Sequence, residues 1–247
     1  MLLRTVAIGL AATLAIGFAA AQTGPSADNP PAARRPYDVK SFGMYRAVIL
    51  EGDFSAKTSL APVMADRPTT GVGALSEARG EITIYDGKLV VSYGRPASNP
   101  PADAENAALL AVSTAPAWQT IPVDHDVAAD EIERFLAQTA AAHGLDPDGP
   151  FPFQVRGTLG PYSMHVNAAP TNGPHGMGQP AAITVERKGE TITGSVAGIY
   201  TSRDLVGVVS HGGTRTHSHW VAADGDATAH LDTWGLKAGS VLSLPTR

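Results

Sequence analysis

The stretch from Thr216 to Asp232 constrains this chain most. Polar and apolar residues alternate on both sides of Asp224-Gly225, and Asp-Gly between two such runs is a strong hairpin signal. Strand side chains alternate between faces, so His217 and His219 point the same way. With Asp224 and Gly225 as the loop, Ala223 faces Asp226, Trp220 faces Ala229 and His219 faces His230. Directly opposed residues share a face with Cβ atoms about 5 Å apart. Three imidazoles then converge on one patch. A loop longer by one residue would break this opposition.

Three neutral imidazoles on one face suit a divalent metal and leave further coordination positions open, as in a catalytic rather than a structural zinc site. His217 and His219 alone would equally suit a solvated strand surface; the opposed His230 turns the reading toward metal. The chain has no cysteine, so any ligands are histidine, carboxylate or water. Such a set suits zinc, and also iron, nickel or copper.

At 247 residues the chain can bury a substantial core. Its net charge of −5, with scattered Lys and Arg and no basic stripe, gives no sign of a nucleic-acid partner. Arg4, the uncharged apolar run Val6 to Ala20 and the small residues Ala19 to Ala21 form an export signal. Residues 1–21 are expected to be removed before Gln22, leaving an exported protein, periplasmic or secreted, with no membrane association after cleavage. Residues 22–40, rich in Pro and Ala at their start, read as a flexible leader.

Ser41 is placed to cap a helix carrying Phe42, Tyr45, Val48 and Ile49 on one face, ended by Gly52-Asp53, and a short helix with Leu60, Val63 and Met64 follows. Strands are expected over Thr70 to Leu75, Gly80 to Tyr85 and Lys88 to Tyr93, the last two joined at Asp86-Gly87, and over Ala108 to Ser113. Glu81 lies on the face opposite Ile82 and Ile84, where by spacing alone it is an ordinary exposed strand glutamate. Val127 to His143 reads as a helix closed by Gly144. Phe153 to Thr158 and Tyr162 to Asn167 read as paired strands, and Lys188-Gly189 as the turn of another hairpin. Val206 to His211 leads toward the histidine hairpin, and Asn172 to Gln179 reads as a Gly/His loop. Repeated antiparallel hairpins with few helices give an α+β fold dominated by β-sheet.

With these residues in view, the chain resembles the alpha-acetolactate decarboxylase family from about Phe42 to Trp234. His217, His219 and His230 match its His-x-His strand and third zinc-binding histidine in order and spacing. Gly194 to Thr201 is similar to the segment leading into that strand, and Gly71 to Leu75 and Gly80 to Lys88 to its N-terminal strands. Met164-His165-Val166-Asn167 falls on its Met-His-Val-Arg segment.

The resemblance implies two lobes built on mostly antiparallel or mixed sheets, here residues 41–150 and 151–247, with a zinc site between them. It implies decarboxylation of (S)-2-hydroxy-2-methyl-3-oxobutanoate, a 2-hydroxy-3-oxo acid, to (R)-acetoin, and it is compatible with a homodimer. It places Glu81 in the active site, and Asn167 where the family carries an arginine. An amide cannot replace the charge of a guanidinium, and the expectation is that Arg156 or Arg215 supplies one from another strand. The family also continues past Leu242 to Pro245 to a second active-site glutamate. A divergent metal-binding protein, running another lyase or isomerase reaction or binding ligand only, is the competing expectation.

Overall fold

The structure is a computed structural model and describes residues 38–95, 99–169 and 183–246. The expected export segment, residues 22–37 of the leader and the Asn172 to Gln179 loop lie outside these residues. The strands are β1 (Val39–Phe42), β2 (Thr58–Ser59), β3 (Thr70–Leu75), β4 (Gly80–Tyr85), β5 (Lys88–Tyr93), β6 (Asn106–Ser113), β7 (Trp118–Pro122), β8 (Phe151–Ala169), β9 (Ile183–Gly189), β10 (Ile192–Tyr200), β11 (Thr216–Val221), β12 (Thr228–Leu236) and β13 (Val241–Pro245). The α-helices are α1 (Leu60–Ala65) and α2 (Ile132–Ala142). No helix among the described residues is long and apolar enough to cross a membrane.

Two sheets organise the fold. The first runs β1-β6-β3-β4-β5, with β2 also on β6; the second runs β10-β11-β12-β8-β13-β7, with β9 on β8. The named strands pair antiparallel throughout. Because β10 pairs with both β11 and β8, and β12 also pairs with β8, the strands β10-β11-β12-β8 close on themselves.

Local chemistry explains the hairpins. Tyr85 pairs with Lys88 across Asp86-Gly87, both at positive φ (49° and 76°), the twist-matched turn for which Asp-Gly is suited. The hairpin from β11 to β12 holds Val221 opposite Thr228, Trp220 opposite Ala229 and His219 opposite His230. Helix α2 buries Ile132, Leu136 and Ala140 against a core containing Phe153, Val155 and Leu242 of the second sheet. Gly144 follows it at φ 81°, the left-handed conformation that ends a helix. Strand β7 also belongs to the second sheet, through its pairing with β13.

Several expectations are corrected. The helix expected from Ser41 begins later: residues 39–42 form β1, the Ser41 hydroxyl bonds the Gly43 carbonyl, and a π-helical turn occupies Ala47–Glu51. Phe153 to Asn167 is one long strand rather than two paired ones, since Gly160-Pro161 continues β8 without reversing it. Gly189 pairs with Tyr162 and Ile192 with Leu159, so β9 and β10 follow one another along β8 and do not form a hairpin at Lys188-Gly189. Val206 to His211 is a turn with one bridge, Val206 to Ser210.

The sheets meet through small side chains. Val72 and Ala111 of the first pack on Ala197 and Ile199 of the second. At Gly94, just past β5, an added Cβ would lie 2.3 Å from the Asn167 carbonyl oxygen, so glycine is what lets that segment approach β8. These contacts bring one face of β4 against the histidine face of the second sheet.

Candidate metal centre

On β4, Ile82 and Ile84 enter the apolar core of the first sheet, and Glu81 and Thr83 point the other way. Opposite them stand His217, His219 and His230, each at most 4 % exposed. One nitrogen from each histidine lies within 4.8 Å of the others, and the group can hold a metal ion.

The hydrogen bonds fix the inward nitrogens of His217 and His219. Nδ1 of His217 donates to the Val209 carbonyl at 2.7 Å, leaving its Nε2 as a lone pair. The Thr228 hydroxyl donates to the Trp220 carbonyl at 2.8 Å, so its oxygen accepts from Thr83, and the Thr83 oxygen accepts from Nδ1 of His219 at 2.9 Å. Nε2 of His219 is therefore also a lone pair, and it faces Nε2 of His217 at 3.2 Å. Nδ1 of His230 lies 3.3 Å from the same atom, while its Nε2 is buried with no protein partner. Two lone pairs directed at one point and an orphaned imidazole nitrogen fit a divalent cation. Ligating histidines are ordinarily oriented by such outer hydrogen bonds. Burial, with neighbouring imidazoles adding, pushes the pKa of His217 down to about 3 and holds His219 and His230 well below the ordinary histidine value. All three are neutral near pH 7, the form that binds metal.

Oε2 of Glu81 lies 3.8 Å from Nε2 of His219. Oε1 accepts two bonds from Asn167, 3.0 Å from its backbone N–H and 2.6 Å from its side-chain amide. Burial raises the Glu81 carboxyl to about 7, against the opposing pull of His165 and Asn167. Glu81, His165, Asn167, His217 and His230 share a cavity of about 270 Å³ whose apolar lining includes Val48, Phe54 and Leu109. No lysine or arginine lines it among the described residues.

The structure thus gathers His217, His219, His230, Glu81 and Asn167. It does not bring Arg156 or Arg215 to them. Arg156 is exposed on β8, paired with Ser195 and Val241. Arg215 stacks on Tyr200, 4.5 Å from the ring centre, and donates to the carbonyls of Thr201 and Pro147. Residues that sequence reasoning passed over complete the site. Thr83 orients His219, and its spacing of two from Glu81 is the signal that could have found it. His165 pairs with Asp232 at 2.7 Å, and Tyr45 bonds His211 and packs edge-on against His217. Burial would lower the His165 pKa, but the Asp232 bond and the Glu81 charge leave it raised.

A family profile described as alpha-acetolactate decarboxylase matches residues 45–244. The chain belongs to the alpha-acetolactate decarboxylase family. Its fold is similar to that of alpha-acetolactate decarboxylase from Bacillus subtilis strain 168, with a TM-score of 0.67 at 11% identity over 85% of this chain and 86% of that one. It is also similar to a Staphylococcus aureus protein of unknown function described as similar to alpha-acetolactate decarboxylase, with a TM-score of 0.65 at 15% identity over 83% and 84% of the two chains. None of the curated proteins compared matches the sequence. At such identities the likeness to the solved structures is one of fold. Membership of the alpha-acetolactate decarboxylase family rests on the profile.

Proposed function

We propose that this protein is a zinc-dependent decarboxylase that converts (S)-2-acetolactate to (R)-acetoin and carbon dioxide. The observation that carries the reading is the placement of Glu81, a buried carboxylate 3.8 Å from His219 in the cavity that His217 and His230 also line. Bound at the three histidines, zinc would supply Lewis-acid polarisation of substrate oxygens.

The chain's own residues do the rest. Departure of carbon dioxide breaks a carbon–carbon bond and leaves an electron pair, which the neighbouring ketone takes up as an enediolate. A proton must then return to carbon. Burial favours the protonated form of Glu81, and its place beside His219 positions it to deliver that proton. Asn167 holds Oε1 with both of its donors, which leaves Oε2 on the side of His219. Val48, Phe54 and Leu109 present hydrocarbon to the cavity and limit competing water. His165 faces the same cavity and is favoured in its protonated form by Asp232. It is the group there that can offer a positive charge to a substrate carboxylate. Export, with cleavage after Ala21, belongs to the same proposal.

A second reading has its own observation. Asn167 stands where the family resemblance expects arginine, and no guanidinium or ammonium lines the cavity among the described residues. This favours a divergent relative that binds or isomerises a neutral hydroxyketone. The two readings separate when metal-loaded protein is incubated with racemic acetolactate and the products are resolved on a chiral column. Formation of (R)-acetoin with matching carbon dioxide supports decarboxylation. No acetoin above a metal-only control overturns it.

A further inference from the structure

We infer that the histidine triad has a second approach, separate from the substrate cavity, and that a hydrated divalent cation reaches its ligands by that path. The inference rests on the reading that the triad holds a metal.

Strands β11 and β12 pair at Val221–Thr228, Trp220–Ala229 and His219–His230, and no further. Beyond that point β11 stays with β10 as far as Thr216, and β12 stays with β8 as far as Leu236. The His219–His230 pair is therefore the apex of a fork within the sheet. A cavity of about 440 Å³ fills the fork, with Thr216 and Ser218 on one arm, Leu231 and Thr233 on the other and His230 at the apex. Of the three triad histidines, His230 alone lines both this cavity and the substrate cavity.

The lining has the chemistry of a cation path. Asp130, in the turn that precedes α2, Glu133, in its first turn, and Asp232 contribute carboxylates. Glu133 accepts the Arg215 backbone N–H at 2.6 Å. Hydroxyls and the His211 imidazole complete a set of oxygen and nitrogen donors, with no lysine or arginine in the lining among the described residues. Such donors suit a hydrated divalent ion, and carboxylates of one sign in a cleft focus a field that attracts it. Two buried atoms in the lining residues have no protein partner: Oγ of Ser218 and Nε2 of His230, in residues that are 3 % and 4 % exposed. Ser218 lies on the face of β11 away from His217 and His219, so the triad does not account for it. The same carboxylates repel an organic acid anion, whereas the other cavity offers it hydrocarbon walls. Charge thus sorts the two approaches.

The test is the rate at which stripped protein takes up Co²⁺, read from the visible absorption of the bound ion, together with an equilibrium titration. The wild-type rate should fall steeply with added salt. Asp130→Asn should load about threefold more slowly, and Thr216→Phe, which fills the fork, roughly tenfold more slowly. Both should keep the wild-type stoichiometry and equilibrium affinity. Ile49→Trp, at the other cavity, should load at the wild-type rate. If Thr216→Phe does not fold, Asp130→Asn decides, because Asp130 is exposed. Binding with unchanged loading rates in both fork variants, or slowed loading in Ile49→Trp, overturns the inference and leaves the metal reading standing. No Co²⁺ binding by folded protein overturns both.

Discussion

The hydroxyl oxygen of Thr83 lies 2.9 Å from Nδ1 of His219, joining the first sheet to an imidazole of the second. That bond fixes the ring and turns Nε2 toward the other two histidines. Thr83→Val keeps the shape and removes the acceptor. Metal affinity should fall by roughly tenfold or more, as is usual when the outer hydrogen bond of a ligating histidine is lost. A competition titration with a chelator measures it. Unchanged affinity would mean that packing alone orients His219.

Glu81 is expected to act in turnover rather than in metal retention. Its nearer contacts are the two bonds from Asn167, and its other oxygen is 3.8 Å from His219. Glu81→Gln should retain metal and lose on the order of a hundredfold or more in kcat, the ordinary worth of positioned proton transfer. Parallel metal analysis and steady-state kinetics check this. Full turnover in the variant would leave Glu81 with a packing role.

Stability of the metal-free protein is expected to fall as pH drops below neutrality. The folded triad resists protonation, with His217 lowered to about 3 from an ordinary value of 6.5, and His219 and His230 lowered as well. Below pH 6.5 the unfolded chain gains protons that the folded chain refuses, so stability is lost as pH falls. Glu81 acts oppositely: its raised pKa stabilises the fold below 4.5, and that contribution is lost as pH rises through about 7. Three imidazoles outweigh one carboxylate. Metal-free protein should therefore melt at lower temperature at pH 5 than at pH 7, and thermal scans across that range would show it. A melting temperature at pH 5 equal to or above that at pH 7 would mean that the triad is accessible to protons in the folded state.

How much of this was legible in the sequence depends on the range of the contact. The histidine hairpin was legible because Asp224-Gly225 and the alternation around it are local, and they put His219 opposite His230. The same holds for β4 with β5 and for α2. The continuity of strand β8 is not legible locally, because Gly157, Gly160 and Pro161 suggest a reversal, whereas pairing with β10, β12 and β9 carries the strand through. Thr83 and His219 are 136 positions apart, and Tyr45 and His211 166 apart. No local pattern encodes such meetings, which follow from how two sheets pack. The burial of Glu81 has the same origin: as a strand glutamate it looks exposed, and the second sheet covers it.

Asn167 is expected to limit activity on acetolactate. Asn167→Arg would add a charge that can grip the substrate carboxylate, and charge-assisted bonds are roughly twice as strong as neutral ones. The KM for acetolactate should fall severalfold. The alkaline limb of the kcat profile, where Glu81 loses the proton it delivers, should also move to lower pH, because the new charge favours ionised Glu81. Normal metal content with both unchanged would show that another group already fills the role, with His165 the first to replace.

The most direct measurement is acetoin formation from acetolactate by one preparation that is stripped of metal, reloaded with one equivalent of zinc per chain, and compared with His219→Ala taken through the same steps. The account predicts loss of turnover on stripping, recovery on reloading, and neither bound zinc nor turnover in the variant. Turnover that survives stripping, or a variant that binds zinc and forms acetoin like the wild type, would contradict it.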